Sequence, residues 1–505
     1  MRMADSLGLI NPSKAGLWII ILLLVKMPHF IYRVHNYGLL GSWFRDSYDY
    51  IAPVENFLAG KGWQPEYRVP GVSIVYFLFR LMGPKHIAMY LFCIFQYVLL
   101  AIATYAVANA VYRITKSFTS FAFVLFFVGL NKYIFISDSR IASESLSLSS
   151  ILFSIYFLLQ FIEKGQIKYV SLSGLFITIG FFMRAILGIA ILFTGMAYLL
   201  VPRRNLSFKI RLFFWFILPF IILESYWIAR NYFVYGAFRP LYARGLTKPF
   251  DFTESHILSL IRFNGLACGP NQPIWEPAIK DLYSTFAIGD IGVPVIRQGK
   301  PFICHDDYIP RYYIDKYFDK CITTTIYNKD SLINLYTQSR YICKVEDKDI
   351  LLIDSILSHK ISVYYQSIKK EYPFYYYFTS RLKLFFHLLL DGPMIIYEGK
   401  SKLLNVLILM YYFLFYGGLV VICILIALSS LLLARSIEDR HIYLYLWISM
   451  IGLSIIWAYT FIFHAYEGRY AITTLPYLVS SAALCMPFLW KRVFRIQSNL
   501  IRRHA

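Results

Sequence analysis

Residues 87–111 read IAMYLFCIFQYVLLAIATYAVANAV, without one charged side chain. At 1.5 Å per residue a helix over this run is about 37 Å long, enough to cross roughly 30 Å of hydrocarbon. Comparable apolar runs recur at Leu17 to Ile31, Phe118 to Ile136, Leu146 to Ile162, Tyr169 to Met183, Ala185 to Val201, Leu212 to Ile228, Leu403 to Leu433, Ile442 to Phe463 and Ala471 to Leu489. A buried helix of a soluble protein is shorter and seldom repeats so often, so the pattern predicts an all-α polytopic membrane protein of about ten transmembrane helices. Composition agrees, with 58% hydrophobic, 19% aromatic and only 16% charged residues over 505 positions.

Lysines and arginines separate the connections into two sets. Arg2 and Lys14, Arg113 and Lys116, Lys164 and Lys168, Arg203 to Arg211, Arg435 and Arg440, and Lys491 to Arg503 occupy every second connection. Cytoplasmic connections retain such residues, so both termini are expected inside. The net charge of +21 is then largely carried by these loops and by contacts with anionic membrane lipids, and no nucleic-acid partner is implied. No small-residue cleavage site follows the first apolar run, which reads as a retained span. The chain divides into a transmembrane module at 1–229 with a first outward loop at 35–70, an extracytoplasmic helical segment at 230–402, and C-terminal spans at 403–505. The stretch 70–84 reads as a re-entrant or surface helix; a true crossing there would invert every later loop.

Function is expected on the outward side. Arg184, Arg230 and Arg469 stand at the outer ends of spans, where basic residues are least expected, and a negative group should meet them. In the first outward loop, Trp43-Phe44-Arg45-Asp46-Ser47-Tyr48-Asp49-Tyr50, a helix after Arg45 would put Asp46, Asp49 and Tyr50 on one face. Neighbouring carboxylates can separate their proton affinities and leave one as a base. The plainer reading, favoured from spacing alone, is that Asp46 caps the helix and Asp49 pairs with Arg45. Glu144 begins the fourth span, and Glu467 precedes Arg469, with which it can simply pair.

These pieces, in order, resemble the GT-C-type glycosyltransferases, closest to the branch of protein O-mannosyltransferases and lipid A aminoarabinose transferases. The resemblance rests on Asp46 with Tyr50, the helix ending at Gly60, Pro70, Ser143-Glu144-Ser145, Gly174 to Arg184, Trp227-Ile228-Ala229-Arg230-Asn231-Tyr232, and Glu467-Gly468-Arg469-Tyr470. It covers roughly the first 235 residues and the last 100. One departure is clear: the family's Asp-Glu pair is Asp46-Ser47 here, which removes a carboxylate from a two-carboxylate metal site. The resemblance implies transfer of a sugar from a polyprenyl-phosphate donor, with inversion, to a glycan, lipid or protein acceptor. Asp46 would be the base with Asp49 as substitute, Arg469, Arg184 and Arg230 would bind the donor phosphate, and Tyr50, Glu144 and Glu467 would position donor or acceptor. The alternative is a transporter or flippase of lipid-linked saccharides, which would place charges and broken helices near mid-bilayer.

The segment 230–402 carries the run Phe374 to Leu390, amphipathic and aromatic-rich, which suits a helix lying on the membrane surface. Cys268, Cys304, Cys321 and Cys343 permit two disulfides in an oxidising compartment, with three possible pairings. His305, Asp306 and Asp307 could bind a divalent metal ion through oxygen and imidazole, but a solvated acidic loop is the safer reading. The ending Arg503-His504-Ala505 carries no retrieval signal, so a bacterial inner membrane is expected.

Overall fold

The computed structural model describes residues 12–39, 44–63, 69–131, 134, 137–199, 204–235, 238, 296–297, 300–301, 366, 369–370, 372–390, 418, 421, 425, 440–461 and 472–487. Within these, the chain is a helical, multi-pass membrane protein. Two compact units are distinguished, Met1–Ala243 with Val406–Ile455 and Ala471–Ala505, and Arg244–Asn405 with Ile456–Tyr470.

In the first unit the helices are α1 (Ala15–Tyr37), α2 (Phe44–Leu58), α3 (Gly71–Arg80), α4 (Lys85–Thr115), α5 (Phe118–Val124), α6 (Ser143–Lys164), α7 (Ile167–Met183), α8 (Gly188–Leu199) and α9 (Leu206–Tyr235). Four helices among the described residues are long and apolar enough to cross a membrane: Ala15–Asn36, Lys85–Thr115, Ser143–Lys164 and Leu206–Val234. The expectation was about ten. The difference has local causes. The run from Phe118 to Ile136 does not continue as one helix: α5 widens into a π-helical turn at Leu125–Gly129, and a 3-10 turn follows at Ser137–Ser139. Arg184 adopts extended backbone and separates α7 from a tight turn at Ala185–Leu187, which shortens the run expected up to Val201. Leu403 to Leu433 lies almost wholly outside the described residues. The 10-residue α3 is about 15 Å long, half of what a crossing needs, so the segment 70–84 contains no spanning helix.

Serine and glycine set the closest helix approaches. The stretch Ser143 to Ser154 on α6 is rich in buried serines, and Ser154 and Ser173 each donate to the other's carbonyl at 3.0 Å, joining α6 to α7. At Gly174 on α7, an added Cβ would come within 2.0 Å of the Phe216 carbonyl oxygen of α9. Small residues let helix backbones meet where lipid gives no hydrophobic drive between them.

The two ends of this bundle differ in chemistry. Where α4 and α6 finish, Arg113 pairs with Glu163 at 3.1 Å, and Lys164 and Lys168 lie over the Tyr169 ring. At the opposite end α4 stands higher than α6. Gln96, eleven residues into α4, donates to the carbonyls of Ser137, Asp138 and Arg140 at 3.1, 2.7 and 2.6 Å. The start of α6 therefore lies about 16 Å below the start of α4. Helices α2 and α3 pack into that step: Tyr50, Ile51 and Val54 share an apolar cluster with Val72, Tyr76, Ala88, Phe92, Ile141, Leu146 and Met183.

Two further helices follow, α10 (Ser380–Leu390) and α11 (Arg440–Phe461), and then α12 (Ile472–Pro487). In the first unit Ser449 and Ser481 join α11 to α12 through their hydroxyls, and Gly452 lies against Tyr477. In the second unit a π-helical turn at Tyr375–Thr379 leads into α10, within the amphipathic run read from sequence. Phe374, Tyr377 and Phe378 are exposed, while Tyr376 is buried with Arg381 and Lys369 over its ring at 5.1 and 5.3 Å. An antiparallel pair of two-residue strands, Ile296–Arg297 with Lys300–Pro301, is the one strand pairing among the described residues.

Candidate functional site

At the stepped end of the bundle, Glu144 sits in the first turn of α6 and Arg184 directly after α7. Their side chains meet, Arg184 Nη1 to Glu144 Oε1 at 3.3 Å, with only 10% and 6% exposed. Two separate outward connections read from sequence are thus one charged pair. The pair lies beside the cluster that seats α2, because Met183 and Leu146, neighbours of Arg184 and Glu144 in the chain, both belong to it. Gly71 brings α3 against the same place: a Cβ there would come within 2.5 Å of the Phe182 carbonyl oxygen.

Arg230 stands one turn before the end of α9. Its Nη2 donates to the Trp63 carbonyl at 2.5 Å, its Nη1 to Asn231 at 3.0 Å, and its guanidinium lies 5.0 Å from the Trp227 ring centre. The end of α9 is thereby tied to the chain that follows α2. Trp63 packs edge-on against Phe57 of α2 and Phe77 of α3, which completes the tie.

The segment after Arg45 is helical, which meets the condition set from sequence, and the backbone puts Asp46, Asp49 and Tyr50 within one turn of each other on α2. Tyr50 is buried at 4% exposure in the apolar cluster, so its ring serves first to seat the helix. The side chains of Asp46 and Asp49 lie outside the described residues, as do Glu467 and Arg469 and the four cysteines of the 230–402 segment. His305, Asp306 and Asp307 lie outside them too. Among the described residues, no group of three His, Cys, Asp or Glu side chains gathers to hold a metal ion.

Two arrangements escaped the sequence reading. Glu55 on α2 accepts from Arg80 Nε at 2.9 Å and from the Tyr76 hydroxyl at 3.0 Å, clasping α2 to α3. Burial, and then the Glu55 carboxylate, push the Tyr76 phenol above its ordinary value, so the hydroxyl keeps the proton it donates. The second is Lys26, whose Nζ lies 2.6 Å from Asp138 Oδ2, both fully enclosed. Its signal was a lone lysine in the middle of an apolar run, which the hydropathy of the run overshadowed.

The geometry and composition define a polytopic helical membrane protein with a charged pair buried at the middle of α1 and another near one end of the bundle, a class that includes transporters and membrane-embedded enzymes. No family model, no curated protein and no solved structure matches the chain.

Proposed function

We propose that the chain is a membrane glycosyltransferase of GT-C type, which moves a sugar from a polyprenyl-phosphate donor to an acceptor on the extracytoplasmic face of a bacterial inner membrane. The observation that carries this reading is the Glu144–Arg184 pair, nearly buried at the end of the bundle opposite the basic connections and beside the helix bearing Asp46. A guanidinium at such a place suits a phosphate, which it can meet with two parallel charge-assisted hydrogen bonds. Glu144 holds the Arg184 guanidinium in place at this end of the bundle. Arg230 braces the loop after α2 and supplies a second positive charge at the same end.

In the reaction the acceptor hydroxyl oxygen attacks the anomeric carbon from the face opposite the phosphate. The bond from that carbon to the phosphate oxygen breaks and its electron pair leaves with the lipid phosphate. The acceptor proton passes to the carboxylate of Asp46, or of Asp49 in its place. Increasing negative charge on the phosphate oxygen strengthens its attraction to Arg184 as the transition state forms, which is the differential binding that lowers a barrier.

A second reading, a transporter of lipid-linked saccharides, draws on the enclosed Lys26–Asp138 pair and the non-helical backbone beside it, features common at transport sites. One experiment separates the two. The purified chain in vesicles is given polyprenyl phosphate carrying labelled sugar, and label is followed on lipid, acceptor and each leaflet. A transferase moves label off the lipid, and Arg184→Gln does so about 10- to 100-fold less efficiently. Label that changes leaflet while remaining lipid-linked would establish transport instead.

A further inference from the structure

Lys26 is the middle residue of the 23-residue α1, eleven residues or about 16 Å from either end. A charge at that depth costs roughly 3 kcal/mol on insertion scales. It is matched by Asp138, which lies on no spanning helix but in the 3-10 turn Ser137–Ser139. The carboxylate is shared, with Oδ2 2.6 Å from Lys26 Nζ and Oδ1 accepting from the Ser145 hydroxyl at 2.5 Å. The Lys26 ammonium also lies 4.8 Å from the Tyr97 ring centre, and the Tyr97 hydroxyl donates to the Leu23 carbonyl one turn before Lys26. Pro28 in the same stretch of α1 removes one helical amide donor, which loosens the carbonyl ladder there.

Non-helical backbone at membrane depth needs partners for its polar groups, since neither water nor lipid supplies them. Here Gln96 takes two carbonyls of the turn and that of Arg140 after it, Lys26 takes the Asp138 side chain, and Ser145 links it to the first turn of α6. Ser145 is the chain neighbour of Glu144, the partner of Arg184. A continuous set of contacts therefore runs from the centre of α1, through the turn, to the charged pair. Helix packing alone does not account for it, because an apolar pair of similar volume holds helices together as well as a buried ion pair.

We infer that Lys26 and Asp138 are a positioning pair: they fix the depth and direction of the turn before α6, so that Glu144 meets Arg184 where the donor phosphate binds. The effect on the donor rests on the transferase reading, whereas the pinning of the turn stands apart from it.

The test uses the full chain in lipid nanodiscs, comparing wild type with the apolar double variant Lys26→Met/Asp138→Leu and with Lys26→Arg. A pair that only stabilises would be replaced by the double variant without effect on the site. Positioning predicts an unchanged melting temperature, amide exchange at 137–145 faster by about tenfold, and a donor KM raised by about tenfold at constant acceptor KM, with Lys26→Arg close to wild type. Should the double variant not fold, Asp138→Asn carries the same exchange and donor KM expectations, with a lowered melting temperature because Lys26 is left uncompensated. Unchanged exchange at 137–145 overturns the pin, and faster exchange with an unchanged donor KM overturns its role at the site. A wild-type chain that transfers no sugar counts against the transferase reading, while the exchange measurement still decides the pin.

Discussion

Arg184 and Lys26 show how differently two buried cations act. Arg184 pairs with Glu144 near the end of the bundle and keeps 10% of its side-chain surface exposed. Replacing it with glutamine removes a charge-assisted contact to phosphate, and kcat/KM for the lipid donor is expected to fall by about 10- to 100-fold, as measured by donor titration. Glu144→Gln should have a smaller effect of the same kind, because it disorders the guanidinium without removing it. Lys26 is enclosed, and removing it alone leaves Asp138 uncompensated. Lys26→Met is expected to destabilise the fold by about 3–5 kcal/mol, visible as a lowered melting temperature in detergent, whereas the double apolar variant is not. Asp46→Asn should abolish transfer while the chain accumulates in membranes at wild-type levels; transfer retained by Asp46→Asn but lost in Asp49→Asn would move the base to Asp49.

At the scale of elements, most helices were legible because uncharged runs in a membrane protein have few alternatives to helix. Residues 87–111 are helical throughout, and α2 covers Asp46, Asp49 and Tyr50, which a helix after Arg45 would place on one face. The break after Gly129 was not legible. Phe118 to Ile136 is apolar enough to read as one span, and what interrupts it is supplied from elsewhere in the chain, by Gln96 and Lys26 binding the turn that follows. Such long-range partners leave no trace in local hydropathy. The meeting of Glu144 with Arg184 was legible only as two charges on the same side, since their contact depends on the hairpin of α6 and α7. That hairpin and its packing on α9 depend on small residues. Gly174→Leu is expected to force α7 and α9 apart, because its Cβ would overlap the Phe216 carbonyl, and to lower the yield of folded protein in detergent. Gly165→Ala, in the open loop after α6 at φ 69°, should cost only about 1 kcal/mol.

Over the molecule as a whole, charge divides between the ends of the first unit's helices. Arg113, Lys164 and Lys168 mark one end; Glu144, Arg184 and Arg230 mark the other. Under the proposed orientation, cysteines introduced at positions 61 and 116 should label with membrane-impermeant reagents from opposite sides of sealed vesicles, position 61 from outside. Labelling of both from one side would invert half of the topology and remove Arg184 from the outward face.

The most direct measurement is photolabelling with a polyprenyl phosphate that carries a reactive group beside its phosphate, in membranes holding the wild-type chain or Arg184→Gln. Adducts in wild type are expected at the start of α6 and around the junction of α7 with α8, and they should be lost in the variant. Adducts spread over the lipid-facing helices and insensitive to Arg184→Gln would contradict a donor site at the Glu144–Arg184 pair.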